Sequence, residues 1–309
     1  MGYPPRSCAQ AAGLVAAVVL LATAAGAQTG GSEGLSPTLA NIKKAHAVRL
    51  GYRESSPPFS FLDLANRPIG YSLELCEAIV DEIGVEVDDA NLKIEYVKVT
   101  SDDRIAAVVQ NKIDLECGST TANAERGKQV AFSPLIFVAG TKLMVPKAST
   151  VSGAADLKGK TVVVTKGTTN EQAMHAVDRK FALGLNIIAS PDHEQSYQML
   201  ADGKADAFAT DDILLYGLIA RHKAQDKFRV TGEYLSYDPY GIMFRKGEPQ
   251  LAAVVERTFR KLGSNRDLIP LYNKWFVSRL PTGERLGVSI SPQLEEAFKV
   301  LDDTQGSSN

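Results

Sequence analysis

Residues 116–130 read ECGSTTANAERGKQV, where Cys117, Ser119, Thr120 and Thr121 crowd together and Arg126 follows five residues after the last threonine. Two chemistries suit this stretch. A cysteine among hydroxyls is a candidate nucleophile, and it then needs a general base within reach. Hydroxyls that end a strand ahead of an arginine form a clamp for an anion, because a guanidinium is a planar fork of donors matched to carboxylate or phosphate. The local signatures of cysteine nucleophiles are absent, and Cys117 at the apolar end of a strand reads as a buried small residue. In an oxidising compartment it could instead pair with Cys76, on an apparent helix; nothing in the sequence sets their separation.

Other donors stand in equivalent places. In open α/β sheets, ligands sit beyond the carboxyl ends of strands. Arg53 follows VRLGY, Ser101 and Arg104 follow KIEYVKVT, and Ser119, Thr121 and Arg126 follow IDLECG. Later in the chain Thr165 and Thr168 follow TVVV, His193 follows NIIASPD, and Asp211 follows AFAT. Each has a plain structural alternative: surface ion pairs for the arginines, N-caps for Ser101 and Asp211, a first-turn polar residue for His193. Their shared position on one rim singles them out. Arginines and hydroxyls facing one aspartate describe a ligand carrying both an anion and a cation, which is an amino acid. Arginines beyond one clamp suggest a second carboxylate. The four histidines lack paired spacing, so no metal is expected. Lys166-Gly167-Thr168-Thr169 lacks the upstream glycine of a phosphate loop, and no dinucleotide fingerprint appears, so no cofactor is expected either.

The elements that must position these residues alternate strand and helix. Ser36–Ala47 reads as a helix, Val48–Tyr52 as a strand, YSLELCEAIVDEIG from Tyr71 as a helix, Lys93–Val99 as a strand, Asp102–Gln110 as a helix and Ile113–Cys117 as a strand. The pattern restarts with a strand at Thr161–Thr165, a helix to Phe181, a strand at Leu185–Ala189, a helix at Asp192–Leu200, a strand at Ala205–Thr210 and a helix from Asp211. Phe137–Val145 and Glu233–Arg245 are extended without helical spacing, and helices follow at Pro249–Leu262 and Asp267–Phe276. Two α/β lobes joined by two extended crossovers imply a hinge and a cleft.

Composition bounds the rest. The formal net charge is -2, which argues against a nucleic-acid partner, and 44% hydrophobic with 23% charged residues is ordinary for packed globular domains. With 309 residues, two domains are expected. Arg6, the apolar run Ala11–Ala24 and Ala25-Gly26-Ala27 make a secretory signal peptide, so the mature chain is expected to be exported. The expected organisation is a signal peptide at 1–27, a linker at 28–36, a first lobe at 37–137 and 234–280, a second lobe at 138–233 and a C-terminal tail at 281–309, with a short helix at Ser291–Val300.

RESSPPFSF, TSDDRI, ECGSTTANAER, VVVTKGTTNE, Asp192-His193 and the TDD at 210–212 occur in order, and together they resemble the periplasmic glutamate/aspartate-binding proteins of ABC amino-acid importers, the acidic branch of the family 3 bacterial solute-binding proteins. The resemblance runs from about Ser36 to about Phe276. It implies a two-lobed periplasmic-binding-protein fold of type II, a monomer that binds L-glutamate or L-aspartate, and a membrane permease as partner. On the matching motifs, Arg126 grips the α-carboxylate with Ser119, Thr121 and Thr168, and Asp211 pairs with the α-ammonium. Arg53, Arg104 and His193 receive the side-chain carboxylate, helped by Ser101 and Thr165. Two positions depart from the pattern. Ile242 stands in YGIMF where close relatives often carry a cysteine, leaving Cys117 free or dependent on Cys76; and SSPPFS has two prolines, through Pro58, where one is expected. A dehydratase-type enzyme on the same scaffold and a soluble sensor subunit are the competing readings.

Overall fold

The computed structural model describes residues 34–303. The expected signal peptide, most of the linker and the last residues of the tail lie outside them. α1 (Pro37–Ala45) starts on a proline and leads into β1 (Ala47–Tyr52). A small antiparallel sheet of β2 (Ser55–Ser56), β3 (Ser60–Leu62) and β4 (Pro68–Ile69) precedes α2 (Tyr71–Val87), β5 (Lys93–Lys98), α3 (Arg104–Val109), β6 (Leu115–Glu116) and β7 (Val130–Phe132). Then come β8 (Phe137–Ala139), β9 (Thr141–Pro146), β10 (Thr161–Thr165), α4 (Thr169–Phe181), β11 (Asn186–Ser190), α5 (His193–Ala201), β12 (Ala207–Asp211), α6 (Asp212–Arg221) and β13 (Phe228–Thr231). The chain closes with β14 (Asp238–Tyr240), β15 (Met243–Arg245), α7 (Pro249–Ser264), α8 (Leu268–Tyr272), a π-turn at Asn273–Val277 and α9 (Pro292–Asp303).

Two five-stranded sheets share one plan. The first has the order β5-β1-β6-β15-β7 and the second β11-β10-β12-β9-β13. In each, three parallel strands are followed by an antiparallel fourth, β15 or β9. Those two strands are the ones the chain enters immediately after crossing between sheets, through β8 on the way out and β14 on the way back. β8 and β14 pair antiparallel, Phe137 opposite Tyr240, as a two-stranded hinge.

The inner strands of the second sheet are buried on two faces, so β10 and β12 read as nearly continuous apolar runs, whereas the edge strand β5 is largely exposed and alternates. Val162 and Val164 of β10 and Ala207 and Ala209 of β12 enter one core, while Val163 and Phe208 enter the opposite one. In the first sheet, Val48, Leu50, Leu115 and Phe244 pack with α2 and α7 on one side, and Ile113, Val130 and Met243 face α3 on the other. The expected helix at 102–110 is shorter, since Ser101–Asp103 form the turn before Arg104. The expected helix at 267–276 is α8 run into the π-turn. The tail helix forms as Pro292–Asp303 and buries Leu294 and Phe298 in the first-sheet core.

Cys76 and Cys117 form a disulfide. Cys117 is therefore neither a nucleophile nor a free buried thiol. α2 packs across β1, which brings Cys76 beside the end of β6, and that juxtaposition is tertiary information. Ile242 is fully buried in the same core.

Candidate ligand site between the two sheets

Each sheet reverses its strand order beside its first strand, β1 or β10, and the reversal leaves a crevice at the carboxyl ends. Arg53 follows β1 and Ser119 and Thr121 follow β6, while Thr165 ends β10 and Asp211 ends β12. These rims face each other. Lys166 Nζ lies 2.9 Å from Asp102 Oδ2, and Thr121 Oγ1 lies 3.2 Å from Thr169 Oγ1. A small cavity of about 10 Å³ between them is lined by Arg104, Ser119, Thr121, Thr168, Thr169, Asn170, His193, Asp211 and Leu214.

Six of the ten residues singled out in the sequence therefore line the cavity. Arg53, Ser101, Arg126 and Thr165 do not line it: Arg126 and Thr165 touch residues that do, whereas Arg53 and Ser101 bond to each other and Arg53 lines a separate cleft with Lys98, Asp192 and Arg221. Arg53 Nη2 donates to Ser101 Oγ, and both are buried. Arg126 Nη1 donates to the Thr121 carbonyl at 2.9 Å, and its Nη2 reaches the Gly167 carbonyl of the opposite rim at 3.4 Å. Thr165 Oγ1 sits 2.7 Å from His193 Nδ1 and 2.9 Å from Ser196 Oγ, which leaves His193 Nε2 for the cavity.

The arginines are not surface ion pairs. Arg53 is 1% exposed and Arg104 2%. Among the described residues, none of the guanidiniums of Arg53, Arg104 and Arg126 has a carboxylate within salt-bridge distance. Arg53 Nη1, Arg104 Nε and Ser119 Oγ are buried without a hydrogen-bond partner there. Burial, and then the Arg104 charge, pull Arg53 down to about 10 and Arg126 to about 9. Burial also lowers Arg104, with Glu116 acting against it. All three stay cationic near neutral pH. Burial first, then Arg53 and Arg104, hold His193 well below the usual imidazole range, so it is a neutral donor or acceptor.

Asp211 occupies the N-cap position of α6 without making a cap hydrogen bond. Instead it accepts from Asn170 Nδ2 at 2.8 Å and from the Tyr240 hydroxyl of the hinge strand. Burial, and then the Asp238 charge, push its carboxyl up to about 7. Thr168 does cap α4, accepting from the Glu171 amide at 3.1 Å and donating to the Thr165 carbonyl. Its hydroxyl is engaged, and its part in the cavity is that of a helix N-terminus.

Four residues of the site were not among those singled out in the sequence. Asp238 of β14 accepts from Thr121 Oγ1 at 3.0 Å and Thr169 Oγ1 at 2.7 Å, tying both rims to the hinge. Asn170 joins Thr141 to Asp211. Tyr240 reaches Asp211, and Glu116 lies buried under the rim. The acids alternating with apolar residues in IDLEC, and another acid in the crossover YDPYG, are the signals that were available.

Residues 48–278 match the bacterial extracellular solute-binding proteins, family 3. The chain belongs to that family. The L-glutamate/L-aspartate-binding protein of Pseudomonas aeruginosa is 40% identical over 267 residues, 86% of this chain and 88% of that protein. The glutamate/aspartate import solute-binding protein of Salmonella typhimurium is 35% identical over 274 residues, 88% of this chain and 91% of that one. Among solved structures, an ancestral arginine-binding protein bound to arginine superposes with a TM-score of 0.68 at 29% identity, over 75% of this chain and 98% of that one. This family-3 chain thus has the two-lobed architecture of amino-acid-binding proteins, with its polar cavity where the lobes meet.

Proposed function

We propose that this protein captures an acidic amino acid, L-glutamate or L-aspartate, between its lobes outside the cytoplasm, in the periplasm after signal-peptide removal, and hands it as a monomer to the permease of an ABC importer. One observation carries the reading: three buried guanidiniums without carboxylate partners cluster at the rims of the cavity that Arg104 and Asp211 line together. Buried unpaired charge is costly, and a dicarboxylate with an ammonium group answers both signs at once. The relatives named for glutamate and aspartate point the same way.

In this reading Arg126, Ser119, Thr121 and the α4 N-terminus hold the α-carboxylate, and Asp211 the ammonium. Arg53 and Arg104, with Ser101, Thr165 and neutral His193, take the side-chain carboxylate. Arg104 interacts with both ends, since it depresses both Arg53 and Arg126. Closure excludes water, and each charge-assisted bond then contributes about 1.5–3 kcal/mol. A few such bonds supply the roughly 8 kcal/mol of micromolar affinity. The enzyme and sensor alternatives gain no residue from this geometry.

Isothermal calorimetry with L-glutamate, L-aspartate and L-glutamine tests the assignment. Arg126→Ala should abolish binding of all three. Arg53→Ala should weaken glutamate at least about tenfold more than glutamine, the value of one charge-assisted contact. Undiminished affinity in Arg126→Ala, or equal losses in Arg53→Ala, rejects it.

A further inference from the structure

Glu116 ends β6 in the middle of the first sheet, opposite Gly51 of β1 and Met243 of β15, and is fully buried. Its Oε2 accepts from Thr120 Oγ1 at 2.6 Å. Its Oε1 has no hydrogen-bond partner among the described residues. A Cβ at Gly118 would fall 2.4 Å from Glu116 Oε1 and 2.9 Å from Arg53 Cγ, so the carboxylate and the Arg53 stem lie against the same glycine. An apolar residue would satisfy this strand position, and a buried carboxylate with one hydroxyl partner is expensive. Structure alone does not call for the charge.

We propose that Glu116 is a built-in counter-anion of the arginine cluster, a positioning residue that sets how strongly the site prefers a negatively charged ligand side chain over its neutral amide. The inference rests on the acidic-amino-acid reading above. Among the described residues Glu116 makes no salt bridge, so it acts through space. It lies against Gly118 beside the Arg53 stem, and its charge opposes the lowering of Arg53, Arg104 and Arg126 alike. Asp211 and Asp238 lie toward Arg126, and Asp238 is engaged by hydroxyls. Glu116 is the fully buried acid that also acts on Arg53. By partly neutralising the guanidiniums it keeps them together in the protein, and it weakens the hold on the ligand's second carboxylate.

The test compares two ligands of one shape and different charge. Affinities of L-glutamate by calorimetry and L-glutamine by competition are measured for the whole mature chain, wild type and Glu116→Gln. Loss of one buried charge at this range should raise the glutamate-to-glutamine affinity ratio on the order of tenfold. Glu116→Asp, which keeps the charge, should leave the ratio within about twofold. An unchanged or reduced ratio in Glu116→Gln overturns the proposal while leaving the acidic-amino-acid reading intact. Failure of wild type to bind glutamate removes that reading itself. If Glu116→Gln does not fold, Glu116→Met is read in its place; misfolding of both makes the carboxylate a structural member and also overturns the proposal.

Discussion

Asp211 carries a pH dependence whose sign differs for binding and for folding. An ammonium group beside its carboxylate favours ionisation, so a ligand that binds there expels the proton that burial holds up to about pH 7. Glutamate affinity should be full above pH 7 and fall as pH drops below it, approaching tenfold per unit, with proton release visible when calorimetry is repeated in buffers of different ionisation enthalpy. Ligand-free stability runs the other way. A carboxyl whose folded pKa is raised stabilises below its unfolded value, near 3.9, and that contribution is lost as pH rises through 7. Asp211→Asn should therefore lose binding yet melt higher than wild type at pH 8, with the difference vanishing toward pH 4. A variant that melts lower at pH 8 would mean the Tyr240 and Asn170 bonds outweigh the buried charge. Asp211 was legible in the sequence because it ends a strand. Glu116 and Asp238 were not, because in sequence an acid inside a strand or crossover looks the same whether it faces solvent or a buried guanidinium.

At the scale of elements, the disulfide fixes the clamp. It ties α2 to the residue just after β6, two positions before Ser119, across a separation of 41 residues. Closing a loop of that length restricts the unfolded chain by about 4 kcal/mol in the chain-entropy model. Cys76→Ser with Cys117→Ser should lower the melting temperature by on the order of 10 °C in calorimetry, and reductant should do the same to wild type but not to the double variant. No change on reduction would show that the bond is not formed in solution. Long helices such as α2, α4 and α7, and strands such as β1, β5 and β10, were readable from apolar periodicity. β7 and β13 were not, because three- and four-residue strands carry too little pattern. The hinge was seen only as two extended segments; pairing Phe137 with Tyr240 required the two sheets to be placed.

For the whole molecule, the question is what closing the lobes requires. The double proline is informative here. Gly217 in the middle of α6 lies against the Pro57 carbonyl of the opposite lobe, and a Cβ there would come within 2.3 Å of that oxygen. Arg221, one turn further on, sits 5.8 Å from the Phe61 ring. α6 thus presses on the β2–β3 loop whenever the rims meet, and a side chain at 217 obstructs only that contact. Gly217→Ala separates closure from folding, because alanine is favoured over glycine inside a helix by about 1 kcal/mol. The ligand-free variant should melt at or above the wild-type temperature. Its glutamate affinity should nevertheless fall roughly 5- to 150-fold, the effect of 1–3 kcal/mol of overpacking on the closed state alone. Small-angle X-ray scattering should show that saturating glutamate contracts wild type more than the variant at equal occupancy. Wild-type affinity in a variant of unchanged stability would mean that α6 and the proline loop do not need to meet for the ligand to be held.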